Sequence, residues 1–195
     1  MTDQEGFVAL THSQVARQER MLEVTARLAT DGGLDAVQMR TVAAEADVAL
    51  GTLYRYFPSK EHLLVSVMVR QIEELGDRLA LRPPVGPNAS ERVIDVLRRS
   101  NVALQRRPNF SLAVVRALAS GEVTVAPAVR EVTLAMRAII MGAIGHESAT
   151  PRDELVAEVL EEVWFSALVA WVGGVDDAPS VVRKLEDATR LLLAE

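Results

Sequence analysis

Apolar positions recur at helical spacing along most of the chain, in segments cut apart by proline and glycine. Within residues 14–31, Val15, Leu22, Ala26 and Ala29 stand seven, four and three apart, and Gly32-Gly33 marks a stop. That spacing predicts a first helix. Two short helices follow over 39–46 and 50–57, then a longer one over 60–81 behind Pro58-Ser59, where the serine can cap free backbone N–H groups. Residues 82–89 contain Pro83, Pro84, Gly86 and Pro87, which cannot continue a helix. Further helices are expected over 90–106, 108–121, 127–145, 151–172 and 179–193. The fourth of these opens on Thr150-Pro151-Arg152-Asp153, a cap threonine, a proline at the first helical position and an acid three residues past the cap. The fold class is all-α, with about nine helices and no internal repeat.

The densest local pattern is VQMRTVAAEADVALGTLYRYFPSKEHLL, residues 37–64. Its two short helices are separated by Asp47-Val48-Ala49, about the turn of a helix-turn-helix. Val42, Ala43, Ala46, Val48, Leu53 and Phe57 form the apolar set that such a pair must bury. Leu50, Gly51, Thr52, Tyr54, Arg55 and Tyr56 remain for the outer surface of the second helix. That surface fits a major groove: Gly51 removes bulk near the helix start, and Thr52 and the tyrosine hydroxyls can donate to phosphate. From spacing alone, the same residues also serve as two short core helices with aromatic filling.

Charge complicates the DNA reading. The chain of 195 residues carries a formal net charge of -6, and residues 1–81 hold 8 Lys and Arg against 12 Asp and Glu. Bulk electrostatic attraction to nucleic acid is therefore excluded, and DNA binding must be local. The absence of cysteine removes disulfides, thiolate nucleophiles and cysteine-ligated metal. His12, His62 and His146 lie in separate segments, so no metal site and no cofactor is expected. No apolar run reaches the roughly 18 residues of a membrane span; the longest candidate, 163–175, is broken by Gly173 and Gly174. With Asp3 and Glu5 where a signal peptide would carry positive charge, the expected location is cytoplasmic, without a membrane partner.

The pattern A-x-x-A-x-V-A-x-G-T-L-Y-R-Y-F-P-S-K-E-x-L, from Ala43 through Leu63, resembles the DNA-binding signature of the tetracycline-repressor (TetR) family. Within that family, residues 37–64 look most like actinobacterial repressors of cholesterol and steroid catabolism, and RALA at Arg116 to Ala119 and VWFSALVAW at Val163 to Trp171 are similar to the same subgroup. The resemblance implies a helix-turn-helix DNA-binding domain over 1–58, a connecting helix over 59–81 and a ligand-binding and dimerisation domain over 82–195. It implies DNA contacts from Gln38, Arg40, Thr41, Leu50, Gly51, Thr52, Tyr54, Tyr56 and Lys60, with further contacts from Arg17 and Arg20. Gln38 stands where the family often has a capping threonine, and Leu50 where many members carry lysine. Hydroxyls, backbone N–H groups and helix ends would then do work usually given to lysines.

Residues 155–172 are apolar around more than one stripe, which predicts a helix buried on two sides. Val156, Val159, Val163 and Ala170, with Leu185, Ala188 and Leu192 of the last helix, are the expected homodimer interface, by the family's four-helix arrangement. Phe110, Val114, Met136, Ile140, Trp164 and Leu168 are expected around an interior that in this family commonly holds an inducer; ordinary core is the alternative for each. Arg116, the one charge between Phe110 and Ser120, can pair with an anionic ligand group or extend to solvent. Arg98, Arg99, Arg106 and Arg107 read as a solvated face or as guides for a phosphate-bearing ligand such as a coenzyme A thioester. The expected function is a ligand-responsive repressor that binds a palindromic double-stranded operator and is released by a small apolar effector, a steroid or acyl thioester. The rival is a helical binding protein or enzyme for lipid-like molecules in which the helix-turn-helix is merely structural.

Overall fold

The computed structural model describes residues 12–145 and 149–194; the expectations placed on Asp3, Glu5 and His146 fall outside them. Nine α-helices account for most of the described chain: α1 (His12–Ala36), α2 (Met39–Glu45), α3 (Leu50–Tyr56), α4 (Lys60–Leu81), α5 (Ala89–Gln105), α6 (Pro108–Leu118), α7 (Ala126–Ile144), α8 (Pro151–Val172) and α9 (Ala178–Leu192). A single 3-10 turn at Val123–Val125 leads into α7. No strand occurs among the described residues.

Helix ends follow local chemistry. Ser59 Oγ accepts from His62 N at 3.1 Å to start α4, and Asn88 Oδ1 accepts from Glu91 N at 2.9 Å to start α5. Thr150 and Asp153 form the reciprocal capping box that opens α8. Gly145, at φ 73°, ends α7 in the left-handed region, and Arg92 reaches over from α5 to donate to the last carbonyls, Ala143 O at 2.9 Å and Ile144 O at 2.6 Å. Two expected boundaries move. Gly33 has φ 67° and kinks α1, but the chain resumes helical turns to Ala36, so Gly32-Gly33 is a bend and not an end. α6 stops at Leu118, three residues before Gly121, because Ala119 and Ser120 already close the helix with bonds to Val115 O and Ala117 O.

One apolar core runs through the described residues, from Met21 and Leu22 on α1, through Leu53 and Phe57, along Leu63, Leu64, Val67 and Met68, to Val114, Met136, Leu160 and Trp164. α4 is its spine, touching α1 on one side and α6 and α7 on another. α1 packs more extensively on α6 than on its helix-turn-helix neighbour α2, and Asn109 Nδ2 donates to Thr30 O at 3.4 Å across that contact. α8 fits between α7, α6 and α9, while α5 packs on α7 and α9. Buried hydroxyls find backbone acceptors: Thr25 donates to Met21 O and Thr189 to Leu185 O within their own helices, and Ser111 of α6 donates to Leu104 O of α5, all at 2.7 Å. No single described helix is long and apolar enough to cross a membrane.

Candidate nucleic-acid interface and effector site

α2 and α3 meet across a turn in which Asp47 adopts φ 53°. A short side chain that can bond locally tolerates this left-handed conformation best among non-glycine residues. Val48 N donates to Ala43 O at 3.0 Å, which closes α2 and sends the chain into α3. α1 holds the pair from behind: Arg27 pairs with Glu45, and Arg20 Nε lies 3.5 Å from Ala46 O at the end of α2. Arg20 is nevertheless exposed.

Leu53 and Phe57 fill the floor beneath α3, leaving Gly51, Tyr54 and Arg55 exposed. Tyr54 keeps 48% of its surface open. Leu50 and Tyr56, expected on the outer surface, instead pack partly on the core, and Thr52 is half-buried. A seven-residue helix has too few turns to keep so many positions clear. A Cβ added at Gly51 would meet nothing within 4 Å, so the protein itself does not require glycine there. On α2, Arg40 is exposed and Thr41 half-exposed; Gln38 is exposed but donates to Asp35 O at 2.9 Å and does not cap the helix. Lys60 stands half-exposed at the first position of α4.

His62 lies where this head meets the remaining helices. Its ring centroid is 6.0 Å from that of Phe57, and its Nδ1 is buried without a hydrogen-bond partner. Burial lowers its pKa below the ordinary histidine value, and the Glu131 carboxylate on α7 partly opposes that shift.

On the opposite half of α4, a groove of about 1140 Å³ opens between α4 and α5. Arg78, Arg82, Arg98, Arg99, Arg106 and Arg107 line it, together with Leu75, Leu79, Leu81 and Val102. Arg98 is tied to Glu186 at 2.7 Å, Arg99 to Asp95 at 2.6 Å and Arg78 to Glu74 at 3.6 Å. Arg82, Arg106 and Arg107 have no carboxylate partner among the described residues. Beneath the groove lies an inner cavity of about 30 Å³, walled by Met68, Ile72, Leu75, Leu104, Met136 and Trp164. Gln71, Leu75, Arg78, Ala103 and Arg107 border both spaces. Arg107 donates to Gln71 Oε1 at 2.5 Å and sits 4.9 Å above the Phe110 ring, so this pair stands at the border of the two spaces.

α8 is divided lengthwise. Val156, Ala157, Leu160, Trp164 and Leu168 are buried, while Leu155, Val159, Val163, Val169 and Ala170 are exposed or half-exposed on the far side. A shallow groove of about 310 Å³ runs along Glu162, Val163, Ser166, Ala170 and Lys184 between α8 and α9.

Residues 21–67 match the family described as bacterial regulatory proteins, tetR family, and residues 86–192 match the tetracyclin repressor-like C-terminal domain. The chain belongs to the TetR family. It is 40% identical over 185 residues to the HTH-type transcriptional repressor KstR of Rhodococcus jostii, covering 95% of this chain and 86% of that protein. The crystal structure of a TetR transcriptional regulator from Rhodococcus sp. RHA1 superposes with a TM-score of 0.85 at 37% identity, over 94% of this chain and 99% of that one. Thermus thermophilus FadR, a TetR-family repressor solved in complex with lauroyl-CoA, shares the fold at a TM-score of 0.64 and 19% identity, over 90% and 93% of the two chains. TetR proteins are transcription regulators and not enzymes.

In this TetR-family chain the expected ligand residues separate into three groups. Met136 and Trp164 line the inner cavity; Phe110, Val114, Ile140 and Leu168 are fully buried but are not among its lining residues. Arg116 is exposed, because Ala113, Val114 and Ala117 occupy the inward face of α6 and its long charged side chain extends to water. Among the expected interface residues, Val156 and Leu185 are 5% and 1% exposed and belong to the core of the single chain. Val159, Val163, Ala170, Ala188 and Leu192 keep some open surface. The cavity wall contributed by α4 was not anticipated, although Met68, Ile72 and Leu75 stand four and three apart and already mark a buried face of that helix.

Proposed function

We propose that this TetR-family repressor binds a palindromic double-stranded operator as a homodimer and leaves it when an apolar acyl or steroid group, carried as a coenzyme A thioester, enters the helices beneath α4. The observation that carries the reading is the junction of an arginine-lined groove with a small, largely apolar cavity, bordered by the same side chains of α4. Phosphates need cations that are not already neutralised, and Arg82, Arg106 and Arg107 meet that condition. An apolar group below them needs Leu, Ile and Met walls, and methionines such as Met68 and Met136 deform readily to admit it. The lauroyl-CoA complex of FadR supports the ligand class through a shared fold.

α4 is also the helix that follows α3 after only three residues, so its position sets the position of the reading head. An entering acyl group must part Arg107 from Gln71 and press on α4. Arg70, next to Gln71, pairs with Glu19 of α1 at 3.1 Å, which transmits the displacement to the helix behind the DNA-binding pair. In a dimer formed through the open sides of α8 and α9, that displacement changes the separation of two recognition helices, which must stay about 34 Å apart to reach successive major grooves. The effector acts only by its different affinity for the two arrangements. The repressor acts in the cytoplasm, where the chromosome lies.

The test starts with an operator selected from random duplexes by the purified protein, followed by release titrations with lauroyl-CoA, lauric acid and free coenzyme A. The thioester alone should release the DNA, and the Arg106→Ala/Arg107→Ala variant should need about tenfold more of it. Equal release by lauric acid contradicts the proposed thioester, and release by none of the three contradicts its acyl form.

A further inference from the structure

Trp164 presents an indole N–H in a place where nothing of the protein accepts it. The residue is 0% exposed, it lines the inner cavity, and its Nε1 has no hydrogen-bond partner. None of the polar neighbours accepts from it. Ser100 Oγ donates to Leu97 O at 2.8 Å, Gln71 Oε1 accepts from Arg107, and Gln71 Nε2 donates to Glu74 at 3.3 Å. The remaining wall of Met68, Ile72, Leu75, Leu104 and Met136 offers no oxygen from its side chains. Native interiors rarely leave such a donor unpaired, and an indole placed for packing alone is readily replaced by an all-carbon ring.

We infer that Trp164 Nε1 is the polar anchor of the effector site, donating a hydrogen bond to a carbonyl oxygen carried by the buried part of the ligand. The inference rests on the effector reading above and narrows it, because it separates ligands with an internal keto oxygen from plain hydrocarbon chains. The cavity of about 30 Å³ admits one water-sized group as it stands. A ligand therefore opens the space by displacing methionine and leucine side chains, and the anchor is what makes one inserted group worth more than another. A site with a buried donor discriminates strongly against a ligand that cannot accept, since that ligand leaves the donor unpaired after expelling any water.

The experiment compares lauroyl-CoA with a set of its keto derivatives in which the carbonyl is moved along the outer half of the chain. Affinity is measured by calorimetry on the full chain, and the two indole N–H resonances, of Trp164 and Trp171, are followed by nitrogen-15 NMR. At least one keto derivative should bind about tenfold or more tightly than lauroyl-CoA and move the Trp164 indole proton downfield, and Trp164→Phe should erase that advantage. The comparison in the unaltered protein needs no variant and stands even if Trp164→Phe folds poorly. If every thioester binds equally and the indole resonance stays put, the donor serves water or packing alone and the inference is overturned while the effector reading survives. If the keto advantage persists in Trp164→Phe, another group provides the anchor and the inference again fails. If no thioester binds, the effector reading falls and takes the inference with it.

Discussion

At Gly51 the requirements of the fold and of the proposed function point in opposite directions. A methyl group there meets nothing, and alanine is the better helix former by about 0.5 to 1 kcal/mol. Gly51→Ala should therefore leave the melting temperature unchanged or slightly raised while weakening operator binding. A variant that melts lower, or binds DNA as well as the parent, removes Gly51 from the interface. Tyr54 and Thr52 divide in another way: Tyr54→Ala should weaken all duplexes alike through a lost phosphate contact, whereas Thr52→Ala should change base preference by about 1 to 3 kcal/mol. Equal losses on every sequence from both changes would refute the division. The motif made Leu53 and Phe57 legible as floor and Gly51 and Tyr54 as surface. It did not separate Leu50 and Tyr56 from the exposed set, because in a helix of seven residues partial burial depends on where α1 and α4 pass.

At the scale of an element, α4 begins beside the helix-turn-helix pair and ends beside the arginine groove, and its first turn carries a titrating group at the seam. Burial holds the His62 pKa below its ordinary value of 6.5, so between the two values the unfolded chain binds more protons than the folded one. Its contribution to stability is present above pH 6.5 and is lost as pH falls through the lowered folded value. Denaturant titrations at about pH 7.5 and about pH 5.5 should show this loss, and His62→Gln should reduce it. An identical pH dependence in the variant would mean other groups carry it. Helix spans were readable from punctuation by proline and glycine; α8, expected to be buried on two sides from its apolar circumference, buries one side within the single chain. The cavity was not readable, since it forms where side chains of four helices fail to meet, and no single helix's period encodes that meeting. Arg116 illustrates the limit: a lone charge in an apolar helix leaves its direction open until the neighbouring helices are placed.

For the whole molecule, the stripe Leu155, Val159, Val163 and Val169 is only partly covered within one chain, with Leu155 59% exposed. Val163→Glu should leave helix content intact and convert the protein to a monomer in light scattering, with loss of operator binding. A dimer that persists with the glutamate in place would move the interface elsewhere. The unbroken core has a thermodynamic consequence as well. Met21 and Leu22 share one cluster with Met136 and Trp164, and α1 rests chiefly on α6, so the reading head has no separate floor on which to melt. A ligand held far from the DNA at about a hundred times its dissociation constant adds about 2.7 kcal/mol to the folded state. Because unfolding is shared, amide hydrogens of α1 should exchange more slowly under that ligand, along with those of α6, even while the same ligand lowers the protein's hold on its operator.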